Sequence, residues 1–382
     1  MKIATSCVHA GYQPEDRTGA VNVPIYATST YAYRRFGEHR GWEYSRTGNP
    51  TRSALETAMA ELEGGADGVA FASGLAAINA ITDLFEPGDH LVAADNLYGG
   101  TFRLFKTITE RHGIAVSFAA ADRPEAFAEA CTERTRMIFA ETPTNPLMQL
   151  VDLEAVASIA QGRGALFVVD NTFLTPVLQR PIELGADLVV HSTTKYLNGH
   201  SDGIGGVVVA REAELGERLH TIQNNAGAIL GPFDAYLVIR GLKTLAVRMA
   251  AHEANGRSLA ALLAARDDIG TVHYPGLTDH PQHQLARTQQ DGFGAMIAFD
   301  LGTIERARAF ADAVELFILA ESLGGVESLL CHPATMTHAA VPPDERERLG
   351  IGDGMLRLSV GIEDISDLEA DIARGLDAAA RT

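Results

Sequence analysis

Between about residue 66 and residue 210, short apolar runs recur, each closed by polar residues and followed by a longer mixed segment. The runs are Val69 to Phe71, HLVAA within GDHLVAADNLYGG, IAVSFAA, MIFAE, Ala165 to Val169, Asp187 to Val190 and GGVVVA. Runs this short, rich in β-branched residues and bounded by turn-forming residues, predict buried strands. The segments between them are long enough to cross over, as parallel neighbours require. The final run, GHSDGIGGVVVA, returns as an antiparallel strand. From about residue 230, GPFDAYLVIRGLKTLAVRMAAHEANGRSLAALLAA reads as one long amphipathic helix. Beyond it, helical runs and short strands (GAMIAFDL, MLRLSVGI) suit a smaller α+β domain. Residues 1 to 45 carry no strong helical period. VNVPIYATSTYAYRRF is β-branched and aromatic, interrupted by Pro24, and too apolar to float as a tail. The expected organisation is an arm over 1–45 docking on another subunit, a large α/β domain over 46–240, and a small domain over 241–382.

Composition narrows the function classes. A chain of 382 residues exceeds one ordinary core. A formal net charge of −18 argues against nucleic acid and anionic membrane as partners. The three cysteines are scattered, with no CxxC pair, so reduced cytoplasmic thiols are expected. The N-terminal stretch has no apolar core of signal length, and no run approaches a membrane span. No internal repeat appears.

The chemistry gathers at the polar ends of the predicted strands, where open parallel sheets bind their ligands. Asp170 closes one apolar run and Lys195 follows its neighbour, so an acid and a lysine face one cleft. A lysine so placed is a candidate for carbonyl chemistry. Ser73 and Gly74 join a strand to a helix, giving either an anion seat at a helix N-terminus or a plain tight turn. Tyr98 precedes Gly99-Gly100, as a plate for a planar ligand or as packing. Prolines on both sides hold Asn145 toward the same cleft. Tyr44 and Arg46 point to one side of an extended segment, as a phosphate clamp or a surface pair. Thr51 is a candidate cap for the helix after Gly48-Asn49-Pro50. Arg357, inside an apolar strand, needs an anionic partner, whether a substrate or an intradomain acid. The thirteen histidines form no convincing metal site, and no metal is expected. There is no GxSxG elbow. A nicotinamide-dependent dehydrogenase would need a glycine fingerprint opening a helix, and the glycines near 203–206 precede a strand instead.

A planar, phosphorylated aromatic aldehyde with a ring nitrogen would use these groups together, and pyridoxal 5′-phosphate fits that description. The sequence resembles the Cys/Met-metabolism family of pyridoxal-phosphate enzymes. The matching motifs are YSRTGNPT (44–51), ASGLAA (72–77), LYGGT (97–101), ETPTNP (141–146), VDNTF (169–173), HSTTKYLNGHSD (191–202), RGLKTLAVRM (240–249), AESLGGVESL (320–329) and RLSVGIED (357–364). The resemblance implies fold type I, the aspartate aminotransferase-like α/β fold. That fold has a mostly parallel seven-stranded sheet, helices on both faces and a smaller α+β C-terminal domain.

It also implies roles. Lys195 would be the Schiff-base lysine, Asp170 the partner of the ring nitrogen, and Tyr98 the stacking residue. Asn145 would contact the ring-hydroxyl side. Ser73, Gly74, Leu75, Ser192 and Thr194 would seat the phosphate, completed by Tyr44 and Arg46 of a neighbouring subunit in a homotetramer built from dimers. Arg357, assisted by Ser322 and Asn145, would clamp the substrate carboxylate. Methionine γ-lyases of this family carry a cysteine where this chain has Gly100. Glu43 and Glu321 match the acids of the cystathionine-handling members. The resemblance therefore implies cystathionine γ-lyase chemistry, yielding cysteine, 2-oxobutyrate and ammonia. Cystathionine γ-synthase, which replaces the acyl group of an O-acyl-homoserine with cysteine, is the alternative. A methionine or homocysteine γ-lyase and an O-acylhomoserine sulfhydrylase lie further off.

Overall fold

In the computed structural model, described over residues 1–15, 17–339 and 341–382, the seven apolar runs form one sheet. Its strands are β1 (Asp67–Phe71), β2 (His90–Ala94), β3 (Ala115–Ala119), β4 (Thr135–Glu141), β5 (Leu166–Asp170), β6 (Leu188–Ser192) and β7 (Gly206–Ala210). The order is β1-β7-β6-β5-β4-β2-β3. Neighbours from β6 to β3 are parallel, and β7 runs antiparallel to both β6 and β1. The central strands are apolar at successive positions because both faces are covered. Along β6, His191 bonds to Glu63 of helix Pro50–Glu63, while Ser192 turns to the other face and meets Gly74 of helix Gly74–Thr82. Val189, Val190 and their β5 neighbours Val168 and Val169 are fully buried between these layers.

A second, five-stranded sheet belongs to the smaller C-terminal domain. It comprises β8 (Val272–His273), β9 (Met296–Asp300), β10 (Ile318–Leu319), β11 (Leu329–Cys331) and β12 (Met355–Ser359), in the order β10-β11-β12-β9-β8. Helix Leu245–Ala264 ties the two sheets together. Leu245 and Met249 lie in the core of the first, and Leu259, Ala260 and Leu263 in the core of the second.

Three local expectations need correction. The stretch read as one long helix from about residue 230 is two, Pro232–Leu242 and Leu245–Ala264. The break accommodates the loop after β6. A Cβ at Gly241 would lie 2.4 Å from the Asn198 carbonyl, and Arg248 donates to the carbonyls of Tyr196 and Gly241 at 2.7 Å each. The arm is not extended throughout, because Ile3–His9 is helical and buries Cys7. The cap of helix Pro50–Glu63 is Asn49, whose side chain accepts from the Thr51 and Arg52 amides. Thr51 instead ties down the arm, accepting from the Tyr26 N–H and donating to the Pro24 carbonyl.

Candidate active site

The carboxyl ends of β1, β2, β4, β5 and β6 open into a cavity of about 310 Å³, closed on its far side by the Glu321–Leu323 loop and by Arg357 of β12. One end of it is the start of helix Gly74–Thr82. Ser73 is its N-cap, and its hydroxyl accepts from the Ala76 amide at 3.1 Å. That leaves the first amides, at Gly74 and Leu75, without intrahelical partners. Gly74 packs so closely that a Cβ there would be 3.0 Å from the Cβ of Ser192. Bare backbone N–H groups, with Ser192 and Thr194 also lining this end, suit a phosphate.

At the floor, Asp170 ends β5. Its Oδ1 accepts from Thr172 twice, from the amide at 3.0 Å and the hydroxyl at 2.5 Å. Those bonds orient the carboxylate, which itself lines the cavity. Burial pushes the Asp170 carboxyl up, opposed by the Thr172 bonds and by the nearby His191 and Lys195. Glu141 ends β4 beside it, is 5% exposed, and accepts the Tyr98 N–H at 2.8 Å. Tyr98 lines the cavity and is 41% exposed. A Cβ at Gly100 would fall 2.5 Å from Cε1 of that ring, so glycine is what lets the tyrosine lie in this position.

Lys195 reaches the cavity from the turn after β6, and its Nζ donates to Ser322 Oγ at 2.9 Å. Burial and the neighbouring Arg357 charge push the amine down to about 8, a value at which an amine can act as base and nucleophile. Arg357 is 2% exposed, and its guanidinium donates to Asn145 Oδ1 and to the Ser322 carbonyl, at 2.9 Å each. These are neutral oxygens, and its Nε has no partner among the described residues. A buried guanidinium bonded only to neutral oxygens and lining a cavity is a seat for a carboxylate ligand.

Asn145 is in turn held from behind. His338 Nε2 donates to its carbonyl at 3.0 Å, and Thr337 Oγ1 is 2.9 Å from His338 Nδ1. Burial pushes that imidazole down to about 4, so it is neutral around pH 7.

The cavity thus brings together the cofactor and substrate residues expected from the large domain with Ser322, Glu321 and Arg357 of the C-terminal segment. It does not include Glu43, Tyr44 or Arg46. Arg46 bonds Asn224 and lies 5.7 Å from the Tyr44 ring centre, and Glu43 is 3.7 Å from His39. Tyr44 is 47% exposed.

Thr172, Glu141 and His338 escaped the sequence reading. The Asp-Asn-Thr spacing of an Asx turn signals Thr172. Glu141 closes an apolar run as Asp170 does. Nothing local marks His338.

A volume for a planar ring, an anion seat, an oriented acid and a lysine whose amine is lowered to about 8 together fit pyridoxal phosphate. Residues 4–377 match the model of the family described as Cys/Met metabolism PLP-dependent enzymes. The chain is 51% identical over 377 residues to a cystathionine gamma-lyase of Bacillus subtilis, covering 99% of this chain and all of that one. A cystathionine beta-lyase of Coxiella burnetii is 50% identical over 377 residues, covering 98% and 97%. The solved cystathionine gamma synthase of Xanthomonas oryzae pv. oryzae in complex with cystathionine superimposes with a TM-score of 0.98 at 47% identity, covering 100% and 99%.

Proposed function

The chain belongs to the Cys/Met metabolism PLP-dependent enzymes, and on that premise we propose that it is a cystathionine γ-lyase, splitting L-cystathionine into cysteine, 2-oxobutyrate and ammonia. Bound in the cavity, pyridoxal phosphate supplies an aldehyde that links the substrate amine and a protonated ring that withdraws electrons from its Cα.

The chain's own residues do the rest. Arg357 takes the substrate α-carboxylate, with Ser322 and Asn145 fixing the guanidinium. Asp170, oriented by Thr172, holds the proton on the ring nitrogen. Lys195 would be the base for the Cα proton and, once it has passed that proton on and is neutral again, for a Cβ proton. Tyr98 assists proton transfer to the departing γ-sulfur. Glu321 at the cavity wall, with Glu43 of a neighbour's arm, receives the distal ammonium. Gly74, Leu75, Ser73, Ser192 and Thr194 seat the phosphate, together with Tyr44 and Arg46 from a second copy of the chain. The working assembly is a homotetramer of such dimers. The three free cysteines suit a reducing cytoplasm, and no helix among the described residues is long and apolar enough to cross a membrane.

The observation that carries the cystathionine reading is Glu321. It is an acid on the wall of the cavity, on the loop that presents Ser322 to Lys195, and it suits a substrate bearing a second ammonium. Within that class, the γ-lyase choice draws on both acids, Glu43 and Glu321, being glutamate and on the 51% identity to the Bacillus subtilis γ-lyase. The γ-synthase reading draws on the Xanthomonas match across the whole chain and uses the same residues with a second substrate. Product analysis separates them. Cystathionine alone should give 2-oxobutyrate and cysteine. Pyruvate and homocysteine would identify a β-lyase, and much faster turnover of an O-acyl-homoserine with cysteine would identify the synthase.

A further inference from the structure

Glu141 and Asp170 are the last residues of two adjacent parallel strands and stand directly across from each other in register. Backbones so paired run about 4.8 Å apart. Both side chains line the same cavity. Two carboxylates side by side in register, Glu141 buried and Asp170 half-buried, disfavour the state in which both are ionised.

Their partners decide which keeps the proton. Asp170 receives two hydrogen bonds from Thr172 and has Lys195 nearby. Glu141 receives the amide of Tyr98. The other charged or titratable groups around the pair are His191 beyond Asp170, Arg357 of β12 and His338 of the C-terminal loop. Of these, Arg357 opposes protonation of Glu141.

We infer that Glu141 is a positioning residue held as a neutral carboxylic acid: it fixes the backbone of Tyr98 over the ring and leaves the pair's single negative charge on Asp170. Burial and the Asp170 charge push the Glu141 carboxyl well above the usual range, which accords with this assignment. The inference rests on the reading of Tyr98 and Asp170 as neighbours of the cofactor ring. It makes the acidity of Glu141 dispensable and its hydrogen-bond acceptor essential. It also has a pH signature. A carboxyl whose folded-state pKa is raised contributes stability that is fully present below the unfolded pKa and is lost as pH rises through the folded one.

The test compares holoenzymes of wild type, Glu141→Gln, Glu141→Leu and Asp170→Asn by visible circular dichroism of the cofactor, melting temperature against pH, and kcat/KM. Leucine, which cannot accept from Tyr98, should alter the dichroic band and lower kcat/KM by about tenfold or more; glutamine should recover the band and most of the rate. The melting temperature of Glu141→Gln should exceed that of wild type by a margin that widens from about pH 6 to about pH 8.5. A glutamine variant that loses the band, or a margin that stays flat with pH, would show an ionised Glu141 and overturn the inference. A leucine variant with the wild-type band would overturn the positioning role. If the leucine variant fails to fold, the glutamine measurements decide alone. Failure of the site reading looks different: wild type would then hold no cofactor, or Asp170→Asn would keep the wild-type band.

Discussion

At the scale of single residues, the site works by displacing protonation states. Lys195 needs a free electron pair near neutral pH, and an exposed lysine rarely has one. Burial beside Arg357 lowers its amine to about 8. Cofactor capture by stripped protein requires the neutral amine, so its second-order rate should rise about tenfold per pH unit below about 8 and level off above it. Stopped-flow absorbance of added pyridoxal phosphate measures this, and an inflection near the ordinary lysine value of about 10.4 would contradict the assignment. Lys195 and Asp170 were legible in the sequence because each follows an apolar run that has only one place to go. Glu141 obeys the same rule, yet its function depends on its lateral partner in the sheet. Register across β4 and β5 comes from the fold, so one strand read alone cannot disclose it. His338 was hidden for a similar reason, since its partner Asn145 lies 193 positions away.

At the scale of elements, the strand period was readable because burial on both faces makes every position apolar. The helix boundary after residue 240 was not. Apolar positions continue through it, and the chain breaks because another loop must pass. Arg248 is the fastener. It donates to the carbonyls of Tyr196 and Gly241, binding the turn that carries Lys195 to the start of helix Leu245–Ala264. Burial pushes its guanidinium down to about 10, so it remains charged at neutral pH. Arg248→Met would fill much of the volume but leave the Tyr196 carbonyl unpaired, while Gly241 keeps its bonds from Thr244. The expected loss is about 3 kcal/mol in urea denaturation. Because the freed carbonyl belongs to the residue after Lys195, cofactor affinity should fall in the same variant. A stability loss with unchanged cofactor affinity would mean that the helix break and the lysine turn are independent.

At the scale of the whole molecule, one chain supplies a cavity that holds nearly every expected group but leaves the proposed phosphate clamp, Tyr44 and Arg46, outside. Tyr44 and Arg46 lie on a segment that leaves several apolar residues facing solvent in the single chain, with Val21 85% exposed and Phe36 fully so. Such an arm suits burial against a second copy. If Arg46 serves the neighbour's phosphate, a site consists of Lys195 from one chain and Arg46 from the other. Lys195→Ala and Arg46→Ala should each be inactive, or nearly so, when made alone. In a heterodimer of the two, one site combines both substitutions and the other combines neither. Random pairing of equal amounts makes half the dimers mixed, so co-expression should restore about a quarter of the wild-type sites. Activity per chain in the co-expressed protein measures this directly. Recovery would be impossible if both residues served the site of their own chain, because every chain in the mixture carries one inactivating substitution.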